Sequence, residues 1–305
     1  MELNQAEIIT ALVTPFDSQN HLDLTVLKHL TKHLVQTGSQ GFVIGGTTGE
    51  TPTLTHAEKL TLYQKFSQFV PADLPVIAGC GTNNTQATLE FINEVAQIER
   101  IDYALVVVPY YNKPDQDGMK AHFEYLNEHS KLPIIIYNIP GRTGVKMEKE
   151  TIVELAQLEK IVGIKQCGPL EDLRYILEKT EDFVVFTGED AQALAAKELG
   201  ATGVISVAAH IYGKEMTKMY RLLATGEVAK AKSLQEKLLP KMQALFMYPS
   251  PSPVKAVLKA QGFAVGGLRL PLLALNKEKK ANLAQALGLA KDALEHELSL
   301  ELEVK

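Results

Sequence analysis

The chain alternates between short, unbroken apolar runs rich in Val and Ile and longer segments whose apolar residues return every three or four positions. The runs are Ile8–Thr14, Phe42–Gly45, Val76–Gly79, Tyr103–Val108, Ile134–Tyr137, Ile161–Lys165, Phe183–Thr187 and Val204–Ser206, and their starts lie 21 to 34 residues apart. That spacing is what a strand, a crossover helix and two loops require. Continuous apolar runs, rather than alternation with polar residues, mark strands covered on both faces. Eight such units in succession predict a closed, parallel (β/α)8 barrel.

Helix signals fill the gaps. Thr55-His56-Ala57-Glu58 has the pattern of a capping box, in which hydroxyl and carboxylate each satisfy an early backbone N–H. Leu60, Tyr63, Phe66 and Phe69 follow at helical spacing and are expected to face the barrel wall. Pro75 and Pro133 stand just before the third and fifth runs, where a proline ends one element without costing a ladder bond. Beyond the eighth run the periodicity predicts helices over Lys214–Ala224, Val228–Phe246, Pro253–Ala260 and Lys277–His296, with Pro249–Pro253 as a stiff connector. The charged tail Glu295–Lys305 is expected to fray. The fold class is therefore α/β, a (β/α)8 TIM barrel over residues 1–225 with a C-terminal helical extension over 226–305 packed on it.

Composition narrows the setting. The 305 residues are 46% hydrophobic and 22% charged, ordinary for a globular protein. A net charge of −5, from 31 basic and 36 acidic residues, offers no broad positive field for nucleic acid or an anionic membrane. Cys80 and Cys167 are too few for a disulfide framework and fit a reducing cytoplasm. The acidic start and the lack of a long apolar stretch give no sign of a signal peptide or a membrane span. A soluble intracellular protein is the expectation.

In a parallel barrel the reactive groups stand where strands end. The sixth run closes on Lys165, where burial is expected to lower the amine's pKa and make it a nucleophile toward carbonyls; the plain alternative is a lysine reaching out to solvent. Cys167 reads as a small packing residue. The fifth run ends Tyr137-Asn138-Ile139-Pro140-Gly141-Arg142-Thr143-Gly144, placing a phenol one strand from Lys165 and a guanidinium in a glycine-bracketed loop. Gly45-Gly46-Thr47-Thr48-Gly49-Glu50 offers backbone N–H groups and hydroxyls to a small anion but carries neither nucleotide-binding glycine pattern. Tyr110 and Tyr111 at a loop tip suggest an interface or a second phenol for proton transfer. His29 and His33 have metal-ligand spacing but lack a third ligand, so they read as a solvated helix face. No metal motif and no GxSxG serine elbow is present.

Four motifs in this order, Gly46-Thr47-Thr48-Gly49-Glu50, Pro109-Tyr110-Tyr111-Asn112, Tyr137 to Gly144 and Gly163-Ile164-Lys165, resemble the dihydrodipicolinate synthase (4-hydroxy-tetrahydrodipicolinate synthase) family of pyruvate-dependent class I aldolases, which also include N-acetylneuraminate lyase. The resemblance runs from Ile9 to Leu272. It implies that Lys165 forms an imine with pyruvate, that the derived enamine attacks L-aspartate 4-semialdehyde, and that no external cofactor takes part. It also implies proton transfer by Tyr137, a relay through Thr47 and Tyr111, the latter from a neighbouring subunit, and a homodimer or homotetramer. Thr48 and the backbone at Ile205 would hold the pyruvate carboxylate, and Arg142 the aldehyde's carboxylate. The two threonines, Arg142 and the tyrosine pair favour the synthase over the alternative, an aldolase of 2-keto-3-deoxy sugar acids or sialic acid. Gln166-Cys167-Gly168-Pro169 departs from the Glu-Ala-Thr or Glu-Ala-Ser that follows the lysine in many synthases. In lysine-inhibited members a carboxylate stands where this chain has Ala87, which implies weak or absent feedback by lysine.

Overall fold

The computed structural model describes residues 1–295. Eight strands form the sheet: β1 (Ile8–Ala11), β2 (Gly41–Ile44), β3 (Val76–Gly79), β4 (Tyr103–Val107), β5 (Ile134–Asn138), β6 (Ile161–Gln166), β7 (Val184–Thr187) and β8 (Gly203–Ser206). They close into a barrel in chain order, and the pairs from β3 to β8 are parallel. The eight apolar runs are thus the eight strands, nearly all of their residues buried. The first run leaves the ladder at Ala11 because its later residues have other partners. The Val13 amide donates to His210 Nε2 at 3.2 Å, and the Thr14 hydroxyl to the Gly49 carbonyl at 2.6 Å.

Helices fill the connections: α1 (Leu24–Gln36), α2 (His56–Ser67), α3 (Thr85–Val95), α4 (Gln116–His129), α5 (Pro140–Thr143), α6 (Lys149–Leu155), α7 (Leu170–Lys179) and α8 (Ala193–Glu198). After β8 come α9 (Ala209–Ala224), α10 (Val228–Ala244), α11 (Ser252–Ala260) and α12 (Lys277–Ala286). Side-chain caps set many starts. Asp23, Asn84, Asp115 and Asn276 each accept early backbone N–H groups of α1, α3, α4 and α12. The capping box at α2 is present, both halves of it. Its buried face is Leu62, Tyr63 and Phe66, while Leu60 and Phe69, expected there, are only half-buried.

α10 stops two residues short of Phe246 and α11 starts one residue before Pro253, and two other ends differ more widely from the sequence expectation. α9 begins five residues before Lys214 because the Ser206 hydroxyl accepts the Ala209 N–H at 2.8 Å, starting the helix directly behind β8. α12 stops at Ala286 rather than His296. Gly288 adopts φ +77°, and the Leu289 and Gly288 amides reach back to the Ala284 and Gln285 carbonyls, which is a Schellman stop. Positions 296–305, which include His296 and most of the expected fraying tail, lie outside the described residues.

The chain forms two compact units. The first comprises Met1–Ile9, Gly41–Val43 and Pro71–Ile205, and so holds β3 to β7 with α3 to α8. Its core is built on fully buried Ile77, Ile134, Ile135, Ile136, Ile164 and Val185. The second comprises Thr10–Gln40, Ile44–Val70 and the described residues from Ser206 on, holding α1, α2 and α9 to α12. Leu30, Leu34, Phe66, Met216 and Leu258 are fully buried there. No helix among the described residues is long and apolar enough to cross a membrane.

Candidate active site

In the first unit β5 and β6 lie side by side in a register that pairs Tyr137 with Lys165. Both residues stand at the C-terminal ends of their strands, where the parallel pleat turns like positions to one face. Lys165 is only 7% exposed, and its Nζ lies 4.3 Å from the centre of the Tyr137 ring. The lysine therefore does not reach out to solvent.

Its charge is governed by these neighbours. Burial works against the ammonium form, but Tyr137, which also accepts a hydrogen bond from it, and Asp190 favour the charge, and the net effect lifts Lys165 above the usual lysine range. Burial does pull the pKa down as expected, but the neighbours outweigh it and the net direction is upward. The resting amine holds its proton, and attack on a carbonyl requires that a neighbour or the substrate take that proton first.

Cys167 lies just beyond β6, hydrogen-bonded to Glu189. Burial pushes its thiol up to about 12, with the Lys165 charge pulling the other way, so no thiolate is present at neutral pH. The reading of Cys167 as a packing residue fits. Gly188, after β7, is what makes room for both side chains. A Cβ there would overlap Cys167 Sγ and stand 2.8 Å from Lys165 Cε.

Arg142 sits on the single turn of α5, exposed, within a loop whose two ends are gripped by one amide. Asn138 Nδ2 donates to the Met147 carbonyl at 2.9 Å, and Asn138 Oδ1 accepts the Met147 N–H at 3.2 Å. The same Nδ2 donates to Gln166 Oε1 at 3.0 Å, tying the loop to the residue after Lys165. Within the loop, the Thr143 hydroxyl donates to Ile139 and Val145 carbonyls. The Tyr111 backbone amide bonds to Thr143 at 3.4 Å, while its side chain is 87% exposed at φ +73°. Ile205 is buried in β8.

Thr47 and Thr48 belong to the second unit, on the turn after β2. Gly45 opens that turn at φ +60° directly over the Tyr63 ring, where any Cβ would overlap the phenol. The Glu50 amide closes it on the Thr47 carbonyl at 3.0 Å. Thr48 is buried and Thr47 half-buried. In the same unit His33 packs against Phe263 at 4.9 Å, while His29 is exposed; the pair forms a helix face, and no group of potential metal ligands occurs among the described residues.

The profile of the dihydrodipicolinate synthetase family matches residues 4–290. The chain belongs to that family. It is 60% identical over 301 residues to the 4-hydroxy-tetrahydrodipicolinate synthase of Lactobacillus acidophilus, covering 98% of this chain and 97% of that one. It is 55% identical to that of Pediococcus pentosaceus, covering 94% and 96%. Among solved structures, dihydrodipicolinate synthase from Bacillus anthracis superposes with a TM-score of 0.90 at 42% identity, over 92% of this chain and 97% of that one. The Cyanidioschyzon merolae enzyme with lysine bound gives 0.89 at 37%, over 96% and 99%. The fold and family read from the motifs are thus those of its relatives, and the chain is an enzyme of the lyase class.

Sequence reasoning singled out Lys165, Tyr137 and Arg142 because each ends a strand or sits in a glycine-bracketed loop; the fold brings the first two together and leaves Arg142 exposed on α5. It missed Asn138 as the loop's clip, although a buried asparagine at a strand end is the signal. It also missed Glu50, which the first motif contains but which gains meaning only from partners far along the chain.

Proposed function

We propose that this protein condenses pyruvate with L-aspartate 4-semialdehyde to give 4-hydroxy-tetrahydrodipicolinate, a step of lysine biosynthesis by way of diaminopimelate. The observation that carries this is the buried Lys165 amine against the Tyr137 ring, on adjacent strands of a chain of this family. The deprotonated amine attacks the pyruvate ketone carbon, and the carbinolamine loses its oxygen as water, leaving an imine. The imine nitrogen draws electrons from the methyl group, which gives up a proton to become an enamine. The enamine carbon bonds to the semialdehyde carbon, whose oxygen takes a proton and becomes the 4-hydroxyl. The substrate's own amine then adds to the imine carbon and expels Lys165, so one water leaves per turnover.

Tyr137 exchanges the protons at Lys165, and Thr47 and Tyr111 complete the relay, Tyr111 from a second copy of the chain. The high exposure of Tyr111 in one chain supports that role. Thr48 and the Ile205 backbone hold the pyruvate carboxylate, and Arg142 the carboxylate of the semialdehyde. The covalent imine on Lys165 serves in place of a cofactor, and the working form is a cytoplasmic homodimer or homotetramer. Ala87, exposed on α3, gives no carboxylate to the ammonium of lysine, so feedback by lysine is weak.

The test is borohydride reduction in the presence of pyruvate, followed by peptide mass mapping and a coupled assay with the semialdehyde. An adduct on Lys165 and turnover are expected. An unchanged mass overturns the imine, and an adduct without turnover overturns the choice of aldehyde. Arg142→Ala should raise KM for the semialdehyde with little change for pyruvate.

A further inference from the structure

A salt bridge is sealed inside the second unit, far from any role given to it by the condensation chemistry. Lys255, on α11, is 1% exposed, and its Nζ lies 2.6 Å from Glu50 Oε1. The same ammonium donates to the Gly267 carbonyl at 2.8 Å and stands 4.5 Å over the Phe16 ring, so oxygens or a π face surround it. Glu50 uses its second oxygen to accept the Arg269 backbone N–H at 3.0 Å. The Arg269 guanidinium covers the Phe16 ring as well, 4.4 Å away, and reaches Glu58 at the start of α2. Two acids, two bases and one aromatic ring thus form a single cluster, with Lys255, Glu50 and Phe16 buried and Arg269 and Glu58 half-buried at its edge.

Glu50 is also the last residue of the Gly46-Thr47-Thr48-Gly49-Glu50 motif. Its φ of +55° is left-handed, a conformation a side-chain-bearing residue holds only where the surroundings fix it. Its amide closes the threonine turn on Thr47, and Gly49 is held from the other side by the Thr14 hydroxyl at 2.6 Å. A buried ion pair is a poor source of stability, because desolvation offsets most of the attraction. What it supplies is direction: a carboxylate bound on both oxygens cannot rotate, and the backbone carrying it cannot relax.

We propose that the Lys255–Glu50 pair is a positioning device for the reaction, a latch from α11 that holds Thr47 and Thr48 in the turn geometry their roles need. This rests on the proposed roles of those threonines in proton relay and in holding the pyruvate carboxylate. Lys255 touches no substrate, so it is a positioning residue. Its loss should appear in pyruvate binding and in turnover together, and leave recognition of the semialdehyde untouched.

The experiment is steady-state kinetics of Lys255→Met in the full-length enzyme, at a temperature where circular dichroism shows it folded. The expected result is a pyruvate KM raised about tenfold, a kcat lowered about tenfold and a semialdehyde KM within about twofold of wild type. Wild-type KM and kcat in the folded variant, with only a lower Tm, would reduce the pair to a structural role and overturn the proposal. If the stranded Glu50 charge prevents folding, the double variant Glu50→Gln/Lys255→Met strands no charge and is read by the same criteria. The two readings fail differently. Absence of a Lys165 adduct in the wild type defeats the imine, whereas a normal adduct in the wild type with normal kinetics in the variant defeats only the latch.

Discussion

Tyr137 and Lys165 are register partners on β5 and β6, and the lysine's charged end rests 4.3 Å from the centre of the phenol ring. The ring lies against the amine while the hydroxyl accepts a hydrogen bond from it. Tyr137→Phe separates these two functions. Turnover should fall by about 10²–10⁴-fold, the usual worth of a positioned proton-transfer group. The Lys165 adduct with pyruvate should still form on long incubation, since the aromatic wall remains. Stopped-flow turnover and endpoint mass spectrometry check the two halves.

The raised pKa of Lys165 gives a pH dependence of definite sign. At neutral pH the amine is almost wholly protonated, so each unit of added pH raises its free fraction about tenfold. Adduct formation at low pyruvate, trapped with cyanoborohydride, should accelerate steadily from about pH 6 to 9. A rate that levels off near neutrality would mean that the amine is already free there.

Gly188 leaves no room for a side chain beside the Lys165 stem. Gly188→Ala puts a methyl group into Cys167 Sγ and against Lys165 Cε, so the lysine stem must shift. Adduct formation should be abolished or slowed by about a hundredfold or more, since a displaced nucleophile loses its attack geometry. Adding Cys167→Gly should recover only part of the loss, because the clash with Cε remains. Adduct rates in the single and double variants decide it.

Two buried histidines make the fold sensitive to mild acid. Burial lowers both His210 and His122 from 6.5 to about 4. His210 is neutral by its bonds too: Nε2 accepts the Val13 amide, so Nδ1 carries the proton and donates to the Val207 carbonyl at 2.9 Å. Above about pH 6.5 both states of the chain are neutral at these sites and stability is complete. As the pH falls toward 4 the unfolded chain takes up protons that the folded one refuses, and stability drops by up to about 3 kcal/mol per histidine. Urea midpoints at pH 7.5 and 5 should show this, and His122→Leu should flatten the difference.

The barrel was legible because doubly covered strands must be apolar throughout, and eight such runs leave few alternatives. Where helices end was less legible. The start of α9 hangs on one serine hydroxyl, and the end of α12 on a glycine that the apolar period runs straight past. At the site, Lys165 and Tyr137 announced themselves by standing where apolar strands stop. The direction of the lysine's pKa did not, because it depends on which groups the fold brings around the amine. Glu50 and Lys255 are 205 residues apart, and no local pattern joins them.

Asn138 holds Met147 with both arms of its amide, so the stretch that bears Arg142 is pinched off at its base. Residues 139–146 therefore amount to a cassette. On the role proposed for Arg142, a change of sequence there would change which acid end of the aldehyde is preferred, while Asn138 stays in its strand beneath. Selection for a new partner molecule would then have a place to act that leaves Lys165, on the neighbouring strand, alone.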